Sequence, residues 1–96
     1  MKLTVGEKLL LLRESERLSS RPEAAEMLGI PTNALWRYEK GKTMPDVDVV
    51  AKILNHPRFE KYALWFITGK TAPESGQIAP ALYNPTNYEI GEDKTT

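Results

Sequence analysis

Four side chains near the middle of the chain, Thr32, Asn33, Trp36 and Arg37, bring two short hydrogen-bonding groups, an aromatic plane and a guanidinium fork together. None is a strong acid or base at neutral pH except the arginine, so the set suits recognition of a polar surface better than catalysis. At helical spacing they fall on other faces than Leu35 and Tyr38, the inward positions of the same segment. The segment before it is rich in small residues and is separated from it only by a tight turn. A polar helix held up by a small-residue helix is the helix-turn-helix layout that places side chains in a DNA major groove.

The elements around this helix are marked by local signals. Ser20-Arg21-Pro22-Glu23 has capping-box spacing, and Pro22 falls in a first turn where no intrahelical N–H bond is lost. Ala24, Ala25 and Leu28 then face inward, Gly29 ends the helix with positive φ, and Ile30 returns to the core. This predicts helix two over 21–28 and helix three over 32–40. Thr4-Val5-Gly6-Glu7 is a second capping box. It opens helix one, with Val5, Leu9 and Leu12 as an apolar stripe, Leu10 alongside, and Arg13, Glu14, Glu16 and Arg17 as its exposed side; the pattern ends around Leu18-Ser19. Gly41 to Pro45 is a turn, with Pro45 expected just inside the next helix. Asp46 and Asp48 stand at that helix start, where the dipole favours acids. Val47, Val50, Ile53 and Leu54 are its expected buried face. Asn55-His56-Pro57 breaks the chain, helix five is expected over 58–67, and Gly69 stops it.

Helix five is apolar on more than one face. Leu64, Ile67 and Trp65 are assigned to the core, which leaves Phe59, Tyr62, Ala63 and Phe66 as a surplus stripe. Such a stripe points to a partner, most simply an identical subunit; the alternative is a last helix buried on all sides. Residues 1–69 are thus expected to form one all-α, five-helix domain. Residues 70–96, with Pro73, Pro80, Pro85, Gly76 and Gly91, are expected to be an extended, partly disordered tail. Its segment 77–83 is apolar enough to dock, on the partner subunit, or to pair as a short strand. Pro80 would confine such a strand to an edge.

The 96 residues carry no net charge, but the charge is uneven. Residues 1–72 hold 12 Lys+Arg against 9 Asp+Glu, and residues 73–96 hold one Lys against four acids. Arg37, Lys40 and Lys42 cluster at the end of helix three, and one positive face suffices for a sequence-specific nucleic-acid binder. There is no cysteine, which excludes disulfides and thiolate-bound zinc. No apolar run reaches the ~20 residues of a membrane span, and no signal peptide is visible, so a cytoplasmic location is expected. His56 stands alone in a turn, and Asp46 with Asp48 reads as helix-start acids rather than a metal site. No enzyme activity, cofactor, metal or small-molecule ligand is expected.

Aligned on the turn glycine, Leu18-Ser19-Ser20, Ala25, Gly29-Ile30, Leu35, Tyr38-Glu39-Lys40-Gly41 and Pro45 resemble the Cro/repressor class of helix-turn-helix domains. Residues 59–66 (FEKYALWF) and 72–82 (APESGQIAPAL) carry a closer resemblance. They look like the C-type immunity repressors of P-two-like temperate phages, and the likeness covers about residues 4–82. For the last dozen residues no counterpart is recognised in this resemblance.

The resemblance implies that the first, second and sixth positions of the recognition helix, here Thr32, Asn33 and Arg37, read bases. Each is suited: Asn33 can pair bidentately with adenine, Arg37 with guanine, and the Thr32 methyl can meet a thymine methyl. Trp36 either presses on a sugar or thymine methyl, or packs on helix four. Phosphate contacts are expected from Arg21 at a helix start, with Ser20, Lys40, Lys42 and Thr43 as further candidates. Glu39 is expected to pair with an arginine of helix one. The resemblance further implies a prophage repressor that binds double-stranded operator DNA as a homodimer on directly repeated half-sites. The interface would be Phe59, Tyr62, Ala63 and Phe66, extended by Ile78 and Leu82. Two other readings use the same domain: an autoregulatory antitoxin whose tail folds on a toxin, and a bridging adaptor that no longer binds DNA. The trio Thr32, Asn33 and Arg37 disfavours the adaptor, and the likeness of the tail to the phage repressors disfavours the antitoxin.

Overall fold

The computed structural model describes residues 3–84, so residues 85–96 of the expected tail lie outside the described residues. The fold is all-helical: α1 Val5–Ser15, α2 Arg21–Leu28, α3 Thr32–Glu39, α4 Val47–Leu54 and α5 Ala63–Thr68. Two single 3-10 turns, Glu60–Tyr62 and Pro73–Ser75, complete it. Among the described residues there is no strand, only an isolated antiparallel bridge between Ala72 and Gln77.

The helix starts are set by the capping residues. Thr4 Oγ1 accepts from Glu7 N at 3.1 Å while Glu7 Oε1 accepts from Thr4 N at 2.9 Å. At α2 the side chain of Ser20 accepts from Glu23 N at 3.3 Å. α4 begins later than expected. Asp46 caps it, accepting from Val49 N at 2.9 Å, so Pro45 lies outside the helix. The helix ends differ in chemistry. Gly29 closes α2 at φ 75°, as expected, but α1 is closed by Arg17 at φ 62°, a left-handed conformation that a side chain seldom adopts. Arg17 N donates to Glu14 O and Leu18 N to Arg13 O, so the last carbonyls of α1 are satisfied.

Ala24 and Ala25 are fully buried, and Leu9, Leu12, Leu35, Ile53, Phe59 and Trp65 fill the centre around them. Gly6 lets α1 lie directly on the end of α3. A Cβ there would stand 2.4 Å from Tyr38 O and 2.7 Å from Glu39 O, so any side chain would push the two helices apart.

Several expectations of burial are corrected. Arg13 is buried, not exposed, and Glu16 is half-buried. Val47, assigned to the inner face of α4, is 81 % exposed. Helix five is the largest change. Its first turn is a 3-10 turn, held by Tyr62 N donating to Phe59 O, and the α-helix starts only at Ala63. This rotation turns Phe59, Tyr62, Trp65 and Phe66 all inward, with Phe59 only 1 % exposed, while Ile67 is 63 % exposed. The supposed surplus stripe is core; of its members only Ala63 is half-buried. Phe59, Tyr62 and Phe66, expected at a subunit interface, are instead buried within the protomer.

The segment 77–83 docks on its own chain. Gln77 Oε1 accepts from Leu64 N at 2.9 Å, and its Nε2 donates to Glu60 O at 3.0 Å, capping the start of α5. Ile78 N donates to Lys61 O, and Leu82 N donates to Ser15 Oγ at 3.1 Å. Pro80 is buried, and the Tyr83 ring meets Trp65 edge-on at 5.1 Å. Packing thus runs continuously past residue 69, while Ile78 and Leu82 keep exposed side chains.

Glu16 ties α1 to the α5 region. Its carboxylate accepts from the Tyr62 hydroxyl, from Arg58 Nε at 3.2 Å and pairs with Lys61 Nζ at 2.9 Å. Burial alone would raise the Glu16 pKa, but the bonds from Tyr62, Lys61 and Arg58 outweigh it and hold the carboxyl below its usual value. Burial, and then the bond to Glu16, push the Tyr62 phenol upward. A carboxyl depressed by folding contributes stability that is full above its unfolded value, 4.5, and is lost as pH falls through its folded value. Urea unfolding should therefore show wild type losing stability below about pH 5, with a shallower loss in Glu16→Gln. Parallel profiles for the two proteins would contradict this account.

Candidate nucleic-acid interface

α2, the Gly29 turn and α3 form the helix-turn-helix. Lys52 Nζ, on α4, donates to Gly29 O at 3.1 Å and pins the turn from behind. α3 is anchored by Leu35, which is buried, and by the half-buried Ala34 and Tyr38. Thr32, Asn33, Trp36, Arg37 and Lys40 are all exposed, so the four expected readers share one continuous face of α3. Trp36 is 40 % exposed, so a large aromatic side chain remains partly open to solvent on this face.

The end of α3 is fixed by a buried ionic cluster. Glu39 Oε2 accepts from Arg13 Nε at 2.7 Å and its Oε1 from Arg13 Nη2 at 3.0 Å, a two-point fork. Glu39 Oε1 also accepts from Arg21 Nε at 2.9 Å. Arg13 Nη1 continues to Leu18 O and Ser19 O, so one guanidinium fixes both the α1–α2 link and α3. The expected partnership of Glu39 with an arginine of helix one is thus present, and Arg21 joins it. Arg21 is consequently not a free phosphate ligand: its Nε is committed to Glu39, and its side chain is 29 % exposed. Two arginines thus share one carboxylate where α1, the start of α2 and the end of α3 meet.

The same contact brings the two expected phosphate-binding groups together. Through Arg21 and Glu39 the start of α2, with exposed Ser20, is held beside the end of α3. There the chain turns at Gly41, φ 75°, with Lys42 N donating to Arg37 O at 2.9 Å. Lys40, Lys42 and Thr43 are all exposed on that turn. Ser20 and Arg21 on one element and Lys40, Lys42 and Thr43 on another thus gather near the end of α3, beside the exposed face that carries the expected readers.

A helix-turn-helix family model matches residues 9–59. The chain belongs to the helix-turn-helix family. It is also 46 % identical over 96 residues to the Repressor protein C of Escherichia phage P2, a match that spans all of this chain and 91 % of that protein. The resemblance to C-type phage repressors read from residues 59–66 and 72–82 is borne out by this relative. This helix-turn-helix chain holds no group of three or more His, Cys, Asp or Glu placed to bind a metal among its described residues. His56, the lone histidine, accepts from Arg58 N through Nδ1 within its turn. No helix among the described residues is long and apolar enough to cross a membrane.

Sequence reasoning missed three positioning residues of the site. Gly6 and Lys52 carry no local signal, because their partners are backbone carbonyls distant in sequence. The burial of Arg13 was legible only from Glu39, a lone acid at the end of an otherwise basic helix.

Proposed function

We propose that this chain is a sequence-specific DNA-binding repressor that keeps a prophage silent by occupying operator DNA at the early lytic promoter as a homodimer. The observation that carries the reading is the exposed face Thr32, Asn33, Trp36 and Arg37, braced from below by Leu35 and the buried Glu39. In this proposal Asn33, Arg37 and Thr32 read base edges, with Trp36 against a sugar or thymine methyl. Ser20, Lys40, Lys42, Thr43 and the exposed part of Arg21 hold phosphates and set the register. The name of the P2 relative, a repressor, supports the regulatory direction. The docking of residues 77–83 on their own chain argues against the antitoxin alternative, which needs that segment free to fold on a toxin. DNase footprinting on the promoter region flanking the gene tests the proposal and reads the half-site arrangement directly. Protection of a discrete site, competed poorly by unrelated DNA, is expected; protection of all sequences alike, or of none, would refute it.

A further inference from the structure

α3 differs from α1, α2 and α4 in how its start is held. Thr4, Ser20 and Asp46 each accept from a backbone N–H in the first turn of the helix they precede. Pro31 precedes α3 and supplies no side-chain cap, although the first turn of α3 carries Thr32 and Asn33. A helix start without a local cap takes its position from contacts with other elements.

Two such contacts hold this end. Ile30 is buried, and its N–H donates to Ala25 O at 3.0 Å. The second is the bond from Lys52 Nζ to Gly29 O at 3.1 Å. No backbone N–H reaches that carbonyl among the described residues. The lysine stem lies along the same turn: its Cδ and Nζ are 3.8 and 3.7 Å from where a Cβ on Gly29 would stand. A cation here also meets the negative end of the α2 dipole.

The place of Lys52 in the chain gives this bond its reach. α3 ends at Glu39, the turn with Lys40, Lys42 and Thr43 follows, and α4 runs from Val47 to Leu54. Lys52, in the last turn of α4, thus returns to the turn from which α3 departs. Residues 29 to 52 form a loop that this side chain closes. Thr32 and Asn33 lie at one end of its α3, and the candidate phosphate ligands follow the other.

We propose that Lys52 is a specificity-determining positioning residue: without touching DNA, it closes this loop and fixes the base readers at the start of α3 relative to the phosphate ligands on the turn after it. Sequence discrimination needs both sets in register on one duplex, whereas holding phosphates alone does not. The inference rests on the repressor reading, which assigns the two sets.

Lys52→Met keeps an aliphatic stem over Gly29 and removes the ammonium, and Lys52→Arg restores a charged donor. Both are titrated, with wild type, against the promoter fragment flanking the gene and against unrelated DNA of equal length at several salt concentrations. Amide hydrogen exchange is followed without DNA. Lys52→Met should lose roughly tenfold on the promoter fragment, within what one weakened base contact allows. Its affinity for unrelated DNA and its salt slope should stay as in wild type, and Lys52→Arg should recover most of the loss. The amides of Ile30 and Leu35, bonded to Ala25 O and Pro31 O on either side of the turn, should exchange faster in Lys52→Met, while those of α1 keep their rates. Equal loss on both DNAs with a shallower salt slope would make Lys52 a phosphate ligand and overturn the proposal. Wild-type discrimination by Lys52→Met, or unchanged exchange at Ile30 and Leu35, would overturn it as well. Exchange needs no DNA, so faster exchange at the turn in a protein whose wild type does not discriminate the promoter fragment would refute the repressor reading and leave the Lys52 contact standing.

Discussion

Glu39→Ala should cost about 3–5 kcal/mol of stability, the loss expected when one member of a buried ionic cluster is removed and the others are left uncompensated. Arg13 would keep its bonds to Leu18 O and Ser19 O but would hold a buried charge with no counter-ion. Small domains have only about 5–15 kcal/mol in total, so this one change removes a large share. The midpoint of thermal unfolding should fall by well over 10 °C, at roughly 4–8 °C per kcal/mol for a domain of this size. The contrast that makes the argument specific is the double change Arg13→Met with Glu39→Leu. Replacing a buried ion pair by apolar residues of similar volume is often neutral, so the double variant should recover part of the stability that Glu39→Ala loses, short of what the Arg13 bonds to Leu18 O and Ser19 O contribute. Arg21, partly exposed, can turn to water. If Glu39→Ala unfolds within about 1 kcal/mol of wild type in urea titrations followed by circular dichroism, the cluster is not what holds α3.

The parts of this fold that were legible in the sequence are those decided by neighbours in the chain. The Thr4 capping box, the Gly29 stop and the acid at the start of α4 act over three or four residues, and the boundaries of α2 follow from Ser20 and Gly29 alone. The face of α3 was legible too, because Leu35 fixes its inward direction and the polar residues occupy the rest. What was not legible depends on rotation and on distant partners. A 3-10 turn at Glu60–Tyr62 changes the phase of helix five, and with it which of several apolar residues face inward. Periodicity cannot resolve this where nearly every position is apolar. Likewise Val47 reads as core by type, yet it is the first residue of α4 and lies beyond the edge of the packed layer. Its 81 % exposure is visible only in the structure, where the position of the helix end against its neighbours is known.

Arg37→Ala and Asn33→Ala should leave the fold intact and remove discrimination at individual base pairs. Both side chains are exposed on α3, and neither belongs to the Arg13–Glu39–Arg21 cluster that positions the helix. A lost bidentate contact is worth about 1–3 kcal/mol, roughly 5- to 150-fold in affinity for the cognate operator. Binding to operators altered at the contacted base should change little, since the wrong base gained nothing from the side chain. Lys42→Ala makes the opposite expectation. Its ammonium is exposed on the turn after α3 and is assigned to phosphate, so its loss should weaken binding to all sequences alike. The slope of log affinity against log salt concentration should become shallower by about one counter-ion per contact site. Titrations of the three variants on cognate and single-substituted operators at several salt concentrations separate the two behaviours. If Arg37→Ala binds its operator as tightly as wild type, or Lys42→Ala loses affinity at one base pair only, the division of this surface into readers and phosphate clamps is wrong. The order of effects follows from the proposed assignment: Asn33 and Arg37, as readers, would carry sequence, and Lys42, on the turn after α3, would carry charge.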